Sequence, residues 1–169
     1  MSLTTQVAPP LALAPEHHTL REWRLLFTRL PTPTRESLPG RYRGELLGPA
    51  WFQGLALRLL GVLGMRGWWG KDIAPGGREG ANLVNRVGGI WRAVPLVIRE
   101  GTSRVDGRTS LQVEYTREVG WQWRPVVDEL RWLEGRTLVA MTHLELPVLR
   151  HLTVPFLLHR ELGLSGRPR

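Results

Sequence analysis

The sequence predicts a mainly β fold: a single antiparallel up-and-down β-barrel of about eight strands, with an N-terminal helix and a capping helix after strand one. Three observations carry this expectation. The 169 residues suit one domain with a real hydrophobic core. A strand-like segment is followed by one helical excursion and then by roughly six or seven short segments joined by glycine-rich turns. The best of those turns, Asp106-Gly107, leads into Leu111, Val113 and Tyr115, which alternate with Gln112, Glu114 and Thr116.

In chain order, residues 1–15 are rich in Pro and Ala and are expected to form a loose arm. A helix is expected over 16–30, because Leu20, Trp23, Phe27 and Leu30 recur at spacings of three and four before Pro31 and Pro33. Gly40 to Leu46 is the first strand, with Tyr42, Gly44 and Leu46 on one face. Pro49 opens a second helix over 50–64, whose apolar arc includes Trp51, Phe52, Leu55, Leu59, Val62 and Leu63. Gly54 and Gly61 fall on one side of it, consistent either with close packing on a sheet or with a mobile lid over a cavity. Further strands are expected over 67–73, 81–87, 90–100, 111–115, 125–133, 136–144 and 155–161, with a connection over 147–153 and a frayed tail over 162–169. The barrel domain spans 16–161.

Composition narrows the function classes. There is no cysteine, hence no disulfide framework and no thiolate chemistry. The net charge is +8, yet the basic residues are scattered among acids, and all but Lys71 are arginine. That arrangement is not a nucleic-acid footprint. No basic-then-apolar leader precedes the domain, and the most apolar run, 50–65, is too short to span a bilayer. A cytoplasmic bacterial-type protein is expected. No nucleophile elbow, phosphate loop, zinc motif or dinucleotide fingerprint occurs, so no catalytic residue, cofactor or metal is assigned.

Lys71 is the candidate the other residues point to. It is the only lysine and lies in Trp68-Trp69-Gly70-Lys71-Asp72-Ile73. Strand alternation puts Trp69, Lys71 and Ile73 on one face. If that face is the barrel interior, a buried ammonium suits a ligand carboxylate, a phosphate or a Schiff base. If it is the exterior, Lys71 snorkels to water. Asp128 shares a face with Leu130 and Trp132 and is either a lone polar group in an apolar cavity or the partner of a turn or an arginine. His143, His151 and His159 show no metal-ligand spacing and are expected in structural or solvent roles.

Gly40-Arg41-Tyr42-Arg43-Gly44 resembles the Gly-x-Trp-x-Gly signature of the calycin barrels, with Tyr in place of Trp. The chain is most similar to bacterial GXWXG-domain proteins. In that pattern the signature is followed by segments like Trp68-Trp69-Gly70-Lys71-Asp72-Ile73, Asn82 after Gly80, Asp128-Glu129-Leu130-Arg131 and Phe156-Leu157-Leu158-His159-Arg160. The resemblance covers roughly 38–161 and implies a barrel holding a hydrophobic ligand. In fatty-acid-binding relatives a late-strand arginine, here Arg160, holds the ligand carboxylate; in lipocalins it stacks on the signature aromatic, here Tyr42. In nitrobindin-like relatives a late histidine ligates haem.

The expected function is therefore binding of a small hydrophobic, anionic ligand, fatty-acid-like or isoprenoid-like. Lys71 and Arg160 would meet the acid, Trp69, Leu83, Leu96, Val113, Tyr115 and Met141 would line the apolar part, and Asp128 would stand nearby. Two alternatives remain. One is an isomerase- or cyclase-like enzyme using Lys71 or Asp128 as base. The other is a peripheral membrane or partner module using helix 50–64, with Leu11 to Leu30 as a homodimer surface.

Overall fold

The computed structural model describes residues 19–145 and 153–162, and the following concerns these. The expected arm, His151 and nearly all of the expected tail lie outside the described residues. Eight strands close into one antiparallel barrel in sequence order: β1 (Gly40–Leu46), β2 (Trp68–Ile73), β3 (Glu79–Arg86), β4 (Gly89–Thr102), β5 (Thr109–Tyr115), β6 (Val126–Glu134), β7 (Thr137–Leu144) and β8 (Thr153–Arg160). Closure is direct, with Tyr42 of β1 opposite Arg160 of β8. Two α-helices accompany the barrel: α1 (Leu20–Phe27) before it and α2 (Ala50–Leu60) between β1 and β2.

The first helix is shorter than its periodicity suggests. Thr19 has extended backbone and caps it, its hydroxyl accepting from the Glu22 N–H while the Glu22 carboxylate accepts from the Thr19 N–H at 2.7 Å. This reciprocal capping box fixes the start of α1 at Leu20, and the helix ends at Phe27, short of the expected Leu30; residues 16–18 lie outside the described residues. Trp23 and Phe27, one turn apart, bury one face of α1 on the outside of the barrel against Val139, Met141 and Leu157.

Beyond Pro31 the chain runs under the barrel, where Trp132 N–H donates to the Pro31 carbonyl. A short 3₁₀ turn, Arg35–Ser37, then closes that end. Leu38 enters the interior there, and the Tyr42 hydroxyl donates to its carbonyl at 2.8 Å. Above this plug the lower barrel is filled by branched side chains such as Ile73, Leu96, Ile98, Val113, Leu130 and Leu158. The opposite end is the mouth, which α2 covers.

Two glycines of the first strand and its partner set the local geometry. A Cβ on Gly44 would stand 2.3 Å from the Trp68 ring, and one on Gly70 would meet the Tyr42 carbonyl oxygen at 2.0 Å. Both are therefore close-approach positions rather than turn positions. β2 also carries a bulge: Trp68 pairs with Val84 and Gly70 with Leu83, so one residue is extra. Consequently Trp68 and Lys71 share the interior face, and Trp69 is turned outward under the Arg41 guanidinium, 4.6 Å from its ring centre.

Candidate functional site

Between the packed lower barrel and α2 lies a cavity of about 140 Å³. Its roof is apolar: Phe52, Leu55, Ala56, Leu59 and Leu60 from α2, then Leu63 and Met65 from the turn that follows. Its walls include Trp68, Trp123, Val126 and Phe156. Trp68 packs edge-on to Phe156, with ring centres 5.4 Å apart at 88°.

The floor is polar and closely connected. β2 brings Lys71, β3 Asn82, β5 Tyr115 and β6 Asp128, each on the inward face of its strand. Lys71 and Asp128 are 1% and 2% exposed, and Nζ lies 2.9 Å from Oδ2. Lys71 Nζ also donates to Asn82 Oδ1 and to the Tyr115 hydroxyl, both at 2.9 Å. Tyr115 in turn donates to Asp128 Oδ2 at 3.0 Å and accepts from Asn82 Nδ2 at 3.3 Å. Thr142 donates to Asp128 Oδ1 at 2.7 Å, and Trp68 Nε1 to Asn82 Oδ1 at 3.2 Å.

The three ammonium protons of Lys71 match three acceptors. The network is neutral as a whole, one cation against one carboxylate, and its polar atoms are turned toward one another. Burial opposes the charge on Lys71, but Asp128 and Tyr115 beside it outweigh that penalty and hold its pKa above the ordinary lysine value. Burial and the Asp128 charge push the Tyr115 phenol up to about 12, against the opposing pull of Lys71. The phenol is thus a neutral donor near neutral pH, and the lysine a fixed cation.

The fold sorts the expected site residues into groups. Lys71, Tyr115 and Asp128 meet at the cavity floor. Leu96 and Val113 face inward but belong to the packed lower barrel, below the cavity. Three further residues depart from the expected lining. Trp69 is outside because of the β2 bulge. Met141 is outside because β7 sends Ala140 and Thr142 inward, so Met141 packs under α1. Leu83 alternates with the inward Asn82 and Val84, is buried, and is not part of the cavity wall.

Arg160 lies at the closed end, away from the cavity. Its guanidinium stacks 5.2 Å from the Tyr42 ring centre and donates through Nε to the Tyr42 hydroxyl at 3.0 Å, and through Nη2 to the Ser37 carbonyl. It closes the barrel bottom, the second of its two expected roles, and is spatially separate from Lys71.

His143 and His159, the two histidines among the described residues, lie on the outside of the barrel. His159 Nε2 is 3.0 Å from Glu45 Oε2. His143 is buried outside the barrel, 3.5 Å from Glu129, and burial lowers its pKa while Glu129 opposes that shift. Among the described residues no three His, Cys, Asp or Glu side chains gather as a metal site.

Asn82, Thr142, Trp68, Trp123 and Phe156 are site residues that sequence reasoning did not select. Asn82 carried a signal: it is the one amide in the apolar run Ala81-Asn82-Leu83-Val84 and stands opposite Lys71 in the sheet. Thr142 carried a weaker one, since it alternates with Ala140 and Leu144.

The fold and site together define a closed eight-stranded barrel with a helix-roofed apolar cavity and a buried ion pair at its floor. No protein-family model matches the chain, and no curated protein does. It is similar in fold to a crystal structure of a protein from Thermomonospora curvata, with 22% identity and a TM-score of 0.56, over 80% of this chain and 83% of that one. That likeness concerns the barrel. Among the described residues, no helix is long and apolar enough to cross a membrane.

Proposed function

We propose that the barrel binds a small, predominantly apolar ligand under α2, with the Lys71–Asp128–Tyr115–Asn82 cluster facing its polar end. The observation that carries this reading is the combination of an almost wholly apolar wall with a polar cluster confined to the floor. The cavity volume resembles that of engineered apolar cavities which accept a benzene-sized ring.

The electrostatics favour a neutral head, such as a hydroxyl or carbonyl, over the carboxylate suggested by an isolated lysine. Asp128 already compensates Lys71 at 2.9 Å, so an entering anion would face a carboxylate as well as the ammonium. Arg160 offers no second cation there, being engaged at the other end. A proton-transfer reaction using Lys71 or Asp128 has less support. The lysine is held protonated, and both Asp128 oxygens already accept hydrogen bonds within the cluster.

A matched pair of probes tests the reading. Calorimetric titration with 1-hexanol should show binding, and hexanoate should bind at least about tenfold more weakly, a difference of about 1.4 kcal/mol. Asp128→Asn should reverse the preference by leaving Lys71 uncompensated. Equal or tighter binding of hexanoate by the native protein would overturn the neutral-head reading, and silence toward both probes would overturn the cavity reading.

A further inference from the structure

In an up-and-down barrel, alternate connections share one end. The β1–β2, β3–β4 and β5–β6 connections therefore all lie at the mouth. Large apolar side chains are exposed there in unusual concentration. On α2 and the turn after it, Trp51 is 71% and Val62 85% exposed, with Leu57 and Leu59 each at 50%. Val87 and Trp121 stand out from the two neighbouring connections. Among the described residues, only Leu25 and Leu162 are large, exposed hydrophobics away from this end. Scattered exposed apolar residues are ordinary, whereas a gathered set marks an interaction surface.

The charge on α2 and the turn after it has one sign, and exposed Glu118 in the β5–β6 connection is the acid that stands near it. Residues 46–70 contain Arg58 and Arg66 and no acid, and both arginines are exposed. Arg86 and Arg124 flank the mouth on the other connections, also exposed. None of the four is ion-paired among the described residues. An apolar ridge bordered by unpaired arginines matches the boundary between anionic headgroups and acyl chains. It is a poor match to a second copy of this chain, whose mouth would bring the same arginines into opposition.

We propose that the mouth of the barrel docks on an anionic phospholipid surface, with α2 lying in the interface plane. The same helix that faces the lipid also roofs the cavity through Phe52, Ala56 and Leu60. Docking thus places the cavity roof against the acyl region. The docking surface lies outside the cavity, so this inference does not depend on which ligand the cavity takes.

The experiment is flotation of the full chain with vesicles of phosphatidylcholine, with and without phosphatidylglycerol. The protein should float with the phosphatidylglycerol vesicles, and the bound fraction should fall as salt is raised. Arg58→Gln combined with Arg66→Gln should weaken partitioning about twenty-five-fold, at about fivefold per arginine. Val62→Glu should abolish flotation while leaving circular dichroism and 1-hexanol binding unchanged, because the side chain is outside the core.

Absence of flotation with phosphatidylglycerol vesicles would overturn the proposal. So would equal binding to both vesicle types, undiminished binding by Val62→Glu, or a solution dimer that Val62→Glu dissociates in a protein that ignores vesicles. Because the 1-hexanol titration is done without lipid, failure of docking and failure of ligand binding are read separately.

Discussion

Replacing Lys71 by Met is the most informative perturbation of the cavity floor. The substitution keeps a long side chain and removes one charge from a pair 2.9 Å apart, both members of which are almost fully buried. At an effective dielectric constant of about 20, that separation corresponds to an attraction of about 6 kcal/mol. Desolvation of the two ions cancels much of it, so the pair as a whole adds little net stability.

Removing one member is different, because the Asp128 carboxylate stays behind without its counter-ion. The expected cost is about 3–5 kcal/mol. Urea unfolding followed by tryptophan fluorescence reads it. With a slope of about 2 kcal/mol/M, the midpoint should fall by about 2 M. Asp128→Leu alone should cost a similar amount, by stranding the ammonium. The double variant Lys71→Met/Asp128→Leu should recover most of the loss, ending within about 2 kcal/mol of the native protein. A single Lys71→Met variant within about 1 kcal/mol of native would refute the reasoning, as would a double variant whose cost is the sum of the singles.

Two further outcomes follow from the same geometry. The chain has two tyrosines, and both phenols are raised: Tyr115 by burial and Asp128 to about 12, and Tyr42 by burial against the opposing Arg160. An alkaline absorbance titration should therefore show both native phenols ionising above the ordinary tyrosine value, Tyr115 toward about 12. Because Tyr115 is held neutral in the fold and ionises more readily when unfolded, stability should fall as pH rises from about 10 toward about 12. A phenolate signal of one tyrosine near pH 10 in the folded protein would contradict the described environments. At Gly44, the added carbon of Gly44→Ala must displace the Trp68 ring, which would otherwise be 2.3 Å away. The expected cost is about 1–3 kcal/mol in urea unfolding, and a loss under about 0.5 kcal/mol would show that Trp68 moves freely.

The barrel was legible because its strands announce themselves locally. β1 was expected with its observed bounds, since glycines delimit it and its aromatic and aliphatic residues alternate with charges. The order of strand, helix and meander, with short turns such as Asp106-Gly107, left few topologies other than an up-and-down barrel. Inward faces were also readable wherever alternation ran without interruption, as at Leu111, Val113 and Tyr115 or at Asp128 and Leu130.

The candidate site was only half legible. The bulge in β2 inverted the parity of Trp68 and Trp69, and a two-residue period carries no mark of an extra residue. Met141 was misplaced for another reason: with α1 packed on the exterior, both faces of β7 are apolar, so hydrophobicity no longer tells inside from outside. Arg160 and Lys71 could not be separated in sequence, because both stand opposite Tyr42, on β8 and β2, and only their side chains part: Arg160 toward Ser37 and Tyr42, Lys71 toward Asn82, Tyr115 and Asp128. The pairing of Lys71 with Asp128 was likewise hidden, since it joins β2 to β6 across the interior rather than through neighbouring strands.

The burial of the single lysine has one more consequence. Among the described residues the folded chain offers no accessible ε-amine, since its other basic side chains are guanidinium or imidazole. Acylating reagents, enzymatic acetylation and ubiquitin attachment all need that amine in solvent, and here it becomes reachable only when the barrel parts. Lysine labelling of this protein therefore acts as a clock for opening rather than as a map of its surface.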